Sequence, residues 1–185
     1  MTTPTALTEL TGQYTLDPAH TRIGFVARHA MVTKVRGAFN EFEGTAQLDG
    51  DDPSKSSVTV TIKADSIDTR NEQRDAHLRS NDFLEMETFP EITFVSTAAQ
   101  QLDESTFRLT GDLTIKGVTK PVTIDVDYEG AAKDPFGNLR LGFEGSVTIS
   151  RKDYGITWNA TLETGGVLVS DKIVLEFEVS AVKVV

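Results

Sequence analysis

The sequence predicts an all-β fold of antiparallel strands, arranged as a sandwich or as a closed up-and-down barrel. Three observations lead there. First, apolar and polar residues alternate with a period of two through most of the 185 residues, so each strand buries one face and wets the other. A doubly wound parallel sheet would instead be apolar on both faces. Second, turn-forming clusters recur at hairpin spacing, at residues 49–53, 101–105, 116–121, 130–138 and 162–172, which allows about eight to ten short strands. Third, helical character is confined to one block, residues 66–96.

The elements follow in order. Residues 1–11 are Thr-rich and unpatterned, and are expected to be a flexible terminus; residues 12–185 then form a single domain. Strand signals start at Tyr14. In Ser57–Ala64, Val58, Val60, Ile62 and Ala64 share one face, opposite Thr59, Thr61 and Lys63. Val122, Ile124, Val126 and Tyr128 repeat the pattern, as do Leu141, Phe143, Val147 and Ile149, and Ile173, Leu175, Phe177, Val179 and Ala181. In the 66–96 block, Thr69-x-x-Glu72 matches a capping box for a helix from about Arg70 to Arg79. Its apolar face is thin, so it must dock on the sheet to persist. Pro90 then restarts extended chain, and Glu91–Ser96 reads as a strand with Ile92 and Phe94 on one face. Gly145 falls on the same face as Phe143 and Val147, where it either leaves space in the interior or marks a bend.

Composition excludes several functions. A net charge of −10, from 28 acidic and 18 basic side chains, repels a phosphate backbone, so no nucleic-acid partner is expected. With no cysteine, disulfides, thiolate metal sites and cysteine nucleophiles are ruled out. His20, His29 and His77 form no metal-ligand spacing, so neither metal nor cofactor is expected. No Gly-x-Ser-x-Gly elbow exists, and the pairs Asp125/Asp127 and Glu176/Glu178 fall on outer faces. No catalytic residue emerges, and the chain reads as a non-enzyme. His20 follows Asp17-Pro18-Ala19 and is expected to hydrogen-bond within that turn. The N-terminus lacks a basic and an apolar segment, and no apolar run is long enough to span a bilayer. A cytoplasmic location without membrane spans is the expectation.

The chain resembles the YceI-like family of polyisoprenoid-binding proteins. The likeness runs from Tyr14 to Val184. It is carried by Tyr14-Thr15-Leu16-Asp17-Pro18-Ala19-His20-Thr21 before Ile23-Gly24-Phe25, by Gly37-x-Phe39 and Phe42-x-Gly44, and by Ser66-Ile67-Asp68-Thr69. It continues in Arg74-Asp75-x-His77-Leu78, Phe89-Pro90-x-Ile92-Thr93-Phe94, Gly111-x-Leu113-Thr114-Ile115-Lys116-Gly117-Val118 and Ile149-Ser150-Arg151-Lys152-Asp153-Tyr154-Gly155-Ile156. The departures are Tyr14, where the family commonly has Trp, and the lack of the secretory signal that many Gram-negative members carry.

The resemblance implies an eight-stranded lipocalin-like barrel, with the helical block lying across its cavity. It also implies an isoprenoid ligand, a polyprenyl phosphate or isoprenoid quinone, and allows a homodimer. Alternation then assigns Phe25, Phe39, Phe42, Ile62, Leu78, Phe83, Phe94, Leu113, Ile115, Phe143, Val147, Trp158 and Phe177 to the cavity. Arg28, His29, Arg74, His77 and Arg151 are the candidates for a rim that meets the ligand's head group. The alternative reading of the same cations is salt bridges with the surplus acids.

Overall fold

The computed structural model describes residues 7–163 and 165–184. Eleven strands form one antiparallel sheet. They are β1 (Gly12–Leu16), β2 (Arg22–His29), β3 (Thr33–Phe39), β4 (Phe42–Leu48), β5 (Ser57–Lys63), β6 (Ile67–Asp68), β7 (Glu91–Gln101), β8 (Thr106–Ile115), β9 (Val118–Lys133), β10 (Leu139–Ser150) and β11 (Lys172–Lys183). Three pairs are single staves broken by a kink: β1/β2 at residues 17–21, β3/β4 at 40–41, and β5/β6 at 64–66. Backbone bonds bridge the kinks, from Asp17 N–H to the Ser180 carbonyl and from Asn40 N–H to that of Ser66. The result is an eight-staved barrel with up-and-down connections.

Closure comes from β11. Its C-terminal half pairs with β1, Tyr14 opposite Lys183 and Leu16 opposite Ala181, while its first half pairs with β2, Phe177 opposite Ile23. This removes free sheet edges. Bulges at Glu129 in β9, opposite Gly142 and Phe143, and at Thr97 in β7 supply curvature. The inner face is apolar. The outer face carries Thr59, Thr61, Asp125, Asp127, Glu144 and Glu178, the reverse of a barrel that spans a bilayer. No described helix is long and apolar enough to cross a membrane.

The two ends differ. One end, called here the block end, holds the β2–β3 turn, residues 69–90 with α1 (Glu72–Arg79), the β8–β9 turn and the long 151–171 connection. The other is closed by a 3-10 turn, Leu7–Leu10, whose Leu10 is buried and accepts the Tyr14 hydroxyl at 2.8 Å. Of the tail expected over 1–11, residues 1–6 lie outside the described residues.

The helix starts later than the sequence pattern implies. Asn71 is the N-cap, its side chain accepting Arg74 N–H at 3.0 Å. Thr69 is not the cap: it is buried, and its N–H and hydroxyl both donate to Asp75 Oδ1, at 2.9 and 2.5 Å. Asparagine is at least as good a cap as threonine, and Asp75 captures Thr69 first. At the β8–β9 turn, Lys116 and Gly117 both have positive φ, 52° and 75°, the type I′ geometry of a two-residue hairpin. Gly117 lies against the Phe89 ring, and Lys116 Nζ donates to the Asn81 carbonyl, so the turn fastens the block to the barrel.

At the opposite end, Arg140 donates to Asp17 at 2.6 Å and to Asp134 at 2.8 Å, and His20 Nδ1 meets Asp17 at 2.7 Å, in the turn expected for it. Hydrogen bonds from His20 and then Arg140 hold the Asp17 carboxyl at about 2, against an ordinary 3.8. Asp134 also lies at about 2: desolvation pushes it up but is outweighed by the Asn138 N–H and by Arg140. Both folded values are depressed, so this stabilisation is complete above pH 3.8 and disappears as pH falls through about 2. Arg140→Gln is therefore expected to lower Tm at neutral pH, with the gap to the parent closing near pH 2. A gap that stays constant across an acid series of melts would contradict this.

Candidate functional site

A cavity of about 390 Å³ runs inside the barrel, within the usual size of a ligand pocket. Its wall reaches from Leu10 and Pro53 at one end to Leu78, Phe83 and Tyr154 at the block end. Along β8 alone, Phe107, Leu109, Leu113 and Ile115 line it, a run of about 26 Å at roughly 3.3 Å per residue. Such a shape suits an extended apolar chain.

Of the residues assigned to the cavity by alternation, Phe25, Phe39, Ile62, Leu78, Phe83, Phe94, Leu113, Ile115, Phe143, Val147 and Phe177 do line it. Phe42 and Trp158 do not. Phe42 opens β4 directly after the kink at residues 40–41 and packs against the core instead. Trp158 lies in the 151–171 connection, its ring 4.6 Å from His77 and 5.4 Å from Phe83, which ties that connection to the helical block.

Missed wall positions include Tyr154, Ile156 and Val169, which no strand alternation governs, and Leu10, in the segment expected to fray. Tyr128, Leu141 and Ile124 also line the wall. Their alternation was visible in the sequence and would have placed them there.

The aromatic rings leave the lumen open for a specific reason. Phe94 lies on Gly111 of the neighbouring strand, and Phe177 on Gly145; a Cβ on either glycine would meet the ring at 2.5 or 2.6 Å. Gly145 is thus neither a void nor a bend but a bed for an aromatic ring. Gly145→Ala is expected to cost about 1–3 kcal/mol, as overpacking does, and to lift Phe177 into the lumen. Denaturant unfolding together with uptake of a fluorescent apolar probe would check both. Unchanged stability and unchanged uptake would mean that the ring has another place to go.

The five rim candidates separate clearly. Arg28 and His29 are exposed on the β2–β3 hairpin. Arg74 is spent on Thr69, donating from Nε to its hydroxyl and from a terminal nitrogen to its carbonyl, both at 2.7 Å. His77 stands edge-on to Phe83 and Trp158 and meets Asp82 at 2.9 Å. Of the five, Arg151 alone lines the cavity.

Arg151 is 4% exposed, and its guanidinium donates to four backbone carbonyls: Ser170 (2.8 Å), Ile156 and Trp158 (2.9 Å each) and Val169 (3.2 Å). Desolvation pushes its pKa down, offset in part by Asp171. It is the pin of the 155–170 segment. The other buried charge among the described residues, Asp75, is bound to Thr69. The wall is therefore mainly apolar, with one cation, Arg151, at the block end and one carboxylate, Asp49, at the other.

A model of the YceI-like domain matches residues 14–181. A UPF0312 protein of Staphylococcus aureus is 42% identical over 169 residues, covering 91% of this chain and 95% of that relative. The solved structure of a Campylobacter jejuni YCEI protein is 31% identical, with a TM-score of 0.73 over 85% of this chain and 90% of its own. A polyisoprenoid binding domain from Saccharophagus degradans, 14% identical, shares the fold at a TM-score of 0.70, over 92% of this chain and 98% of that one.

Proposed function

Since the chain belongs to the YceI-like family, we propose that it binds a long-chain isoprenoid, a polyprenyl phosphate or an isoprenoid quinone, inside the barrel, and stores or carries it without chemical change. The observation that carries this reading is the continuous apolar cavity with a single cation, Arg151, on its wall at the block end. Each five-carbon unit taken out of water contributes about 4 kcal/mol, at roughly 0.8 kcal/mol per methylene. Two or three such units offset the entropic cost of association without any charged partner. The polyisoprenoid-binding domain of Saccharophagus degradans, on the same fold, supports the choice of ligand class.

Arg151 marks the end at which a polar head would sit, because one of its five N–H groups is left over from its four carbonyl contacts. Catalysis on the bound lipid finds little support, since the wall supplies no acid–base pair. A cytoplasmic carrier, alone or as a homodimer, is the reading we adopt.

Organic extraction of the purified protein followed by mass spectrometry is the test. Masses spaced by isoprene units are expected. A ligand-free extract, combined with no uptake of added polyprenyl phosphate or quinone, would overturn the proposal.

A further inference from the structure

The β2–β3 hairpin reverses the chain's overall character. Residues 21–40 carry Arg22, Arg28, Lys34 and Arg36 and no acid, in a protein of net charge −10. Arg28 sits directly opposite Lys34 in the register, and Arg36 follows opposite Val26. Like charges directly opposite one another destabilise a sheet. Among the described residues none of the three forms an ion pair. The repulsion is left unrelieved.

The tip of the hairpin is apolar. Met31 and Val32 are 60% and 77% exposed, and Val167 of the adjacent connection is 40% exposed. Ala30 and Met31 hold positive φ, 50° and 67°, where hairpins ordinarily use Gly or Asn. Backbone strain of this kind persists where the surroundings impose it, and it concentrates at functional segments. Phe136, at the other end, is more exposed still, but it stands beside Asp134, and Arg140 nearby is already paired with Asp17 and Asp134.

The hairpin also adjoins the cavity. Ala27 lines it from β2, and so does Val169, whose bridge partner is His29. On the strands β9, β10 and β11, the outer residues Asp127, Glu144 and Glu178 form a carboxylate row in register. The connection at this end carries Asp153, Glu163 and Asp171, so the run of positive charge without an acid is that of the hairpin itself.

We propose that the β2–β3 hairpin docks the barrel on an anionic lipid surface. Met31 and Val32 enter the headgroup boundary, while Arg28, Lys34 and Arg36 meet phosphates. The block end of the cavity is thereby set against the membrane. This inference does not depend on which ligand the cavity holds.

The test is co-sedimentation with vesicles of phosphatidylcholine alone, or of phosphatidylcholine mixed with phosphatidylglycerol, at low and high salt. Binding to the mixed vesicles, weakened by salt, is expected. At about fivefold per cation, Lys34→Gln with Arg36→Gln should reduce partitioning about 25-fold. Val32→Asp should remove most of what remains. All three sites are exposed, so circular dichroism should be unchanged, and lipid uptake in solution should persist. Equal binding to neutral vesicles, no binding to either kind, or full binding by the variants would overturn the proposal. So would a dimer in light scattering that Val32→Asp dissociates while vesicles are ignored, since the tip would then serve a second copy of the chain.

Discussion

Replacing Arg151 by alanine is expected to destabilise the barrel by about 3 kcal/mol and to free the 155–170 segment before the rest unfolds. The carbonyls of Ile156, Trp158 and Ser170 lose their donor at once, that of Val169 keeps only Asn159 Nδ2, and a buried side chain leaves a hole at the end of the cavity. The loss should be local in its first effect. The β10–β11 ladder keeps its own pairing from Arg140–Val182 to Ser150–Lys172, whereas the segment from Ile156 to Ser170 is left with its bonds to the β2–β3 hairpin, the Asn159 bonds and the packing of Trp158. Hydrogen exchange at residues 156–170, compared with β10 and β11, measures the effect. Arg151→Lys separates charge from geometry: an ammonium is a single point and cannot reach four carbonyls spread around a planar fork. The lysine variant should therefore recover little. Full protection in either variant would mean that the segment is held by Trp158 packing and Asn159 bonds instead.

Leu113→Arg is expected to abolish uptake of the apolar ligand. Leu113 is 6% exposed and lines the cavity two residues before the block-end limit of β8. An unpaired guanidinium there has no carboxylate to meet and must be solvated by water inside the lumen, at a cost of several kcal/mol for a buried charge. Asp112→Arg, one residue away, is the control. Asp112 faces outward, and its change to arginine should leave uptake within error of the parent. A single step in sequence reverses the outcome because side chains alternate across the sheet. Should Leu113→Arg fold and load normally, the lumen does not hold the ligand; should Asp112→Arg fail, loss of uptake reflects charge or folding rather than the bore.

The inner face was readable wherever a strand obeys its own period. Ile124, Val126, Leu141 and Phe177 announce their side of the sheet without reference to any other residue, because alternation is local. Arg151 could not be read that way. Its four carbonyl partners belong to a connection without periodicity, so the sequence offers a basic residue near a strand end and nothing about its use. Arg74 and Arg79 look equally suited to a head group, yet both are consumed by backbone carbonyls of residues 65–69. Thr69 misleads because the capping-box spacing is real, and a better cap stands two residues later. Gly145 was ambiguous for a different reason: the ring that covers it arrives from β11, more than thirty residues downstream. Barrel closure through Tyr14 and Lys183 is longer-range still, and no local pattern encodes it.

The rings resting on glycine also bear on how relatives can diverge. Gly111 with Phe94, and Gly145 with Phe177, each share one volume between two strands. Neither partner can change size alone without a clash or a groove. Substitutions at these positions should therefore travel in pairs: where a homologue places a larger residue at the equivalent of 145, a smaller one is expected at the equivalent of 177. Bore width in such barrels would then vary by coordinated exchange between neighbouring staves, with the backbone left where it is.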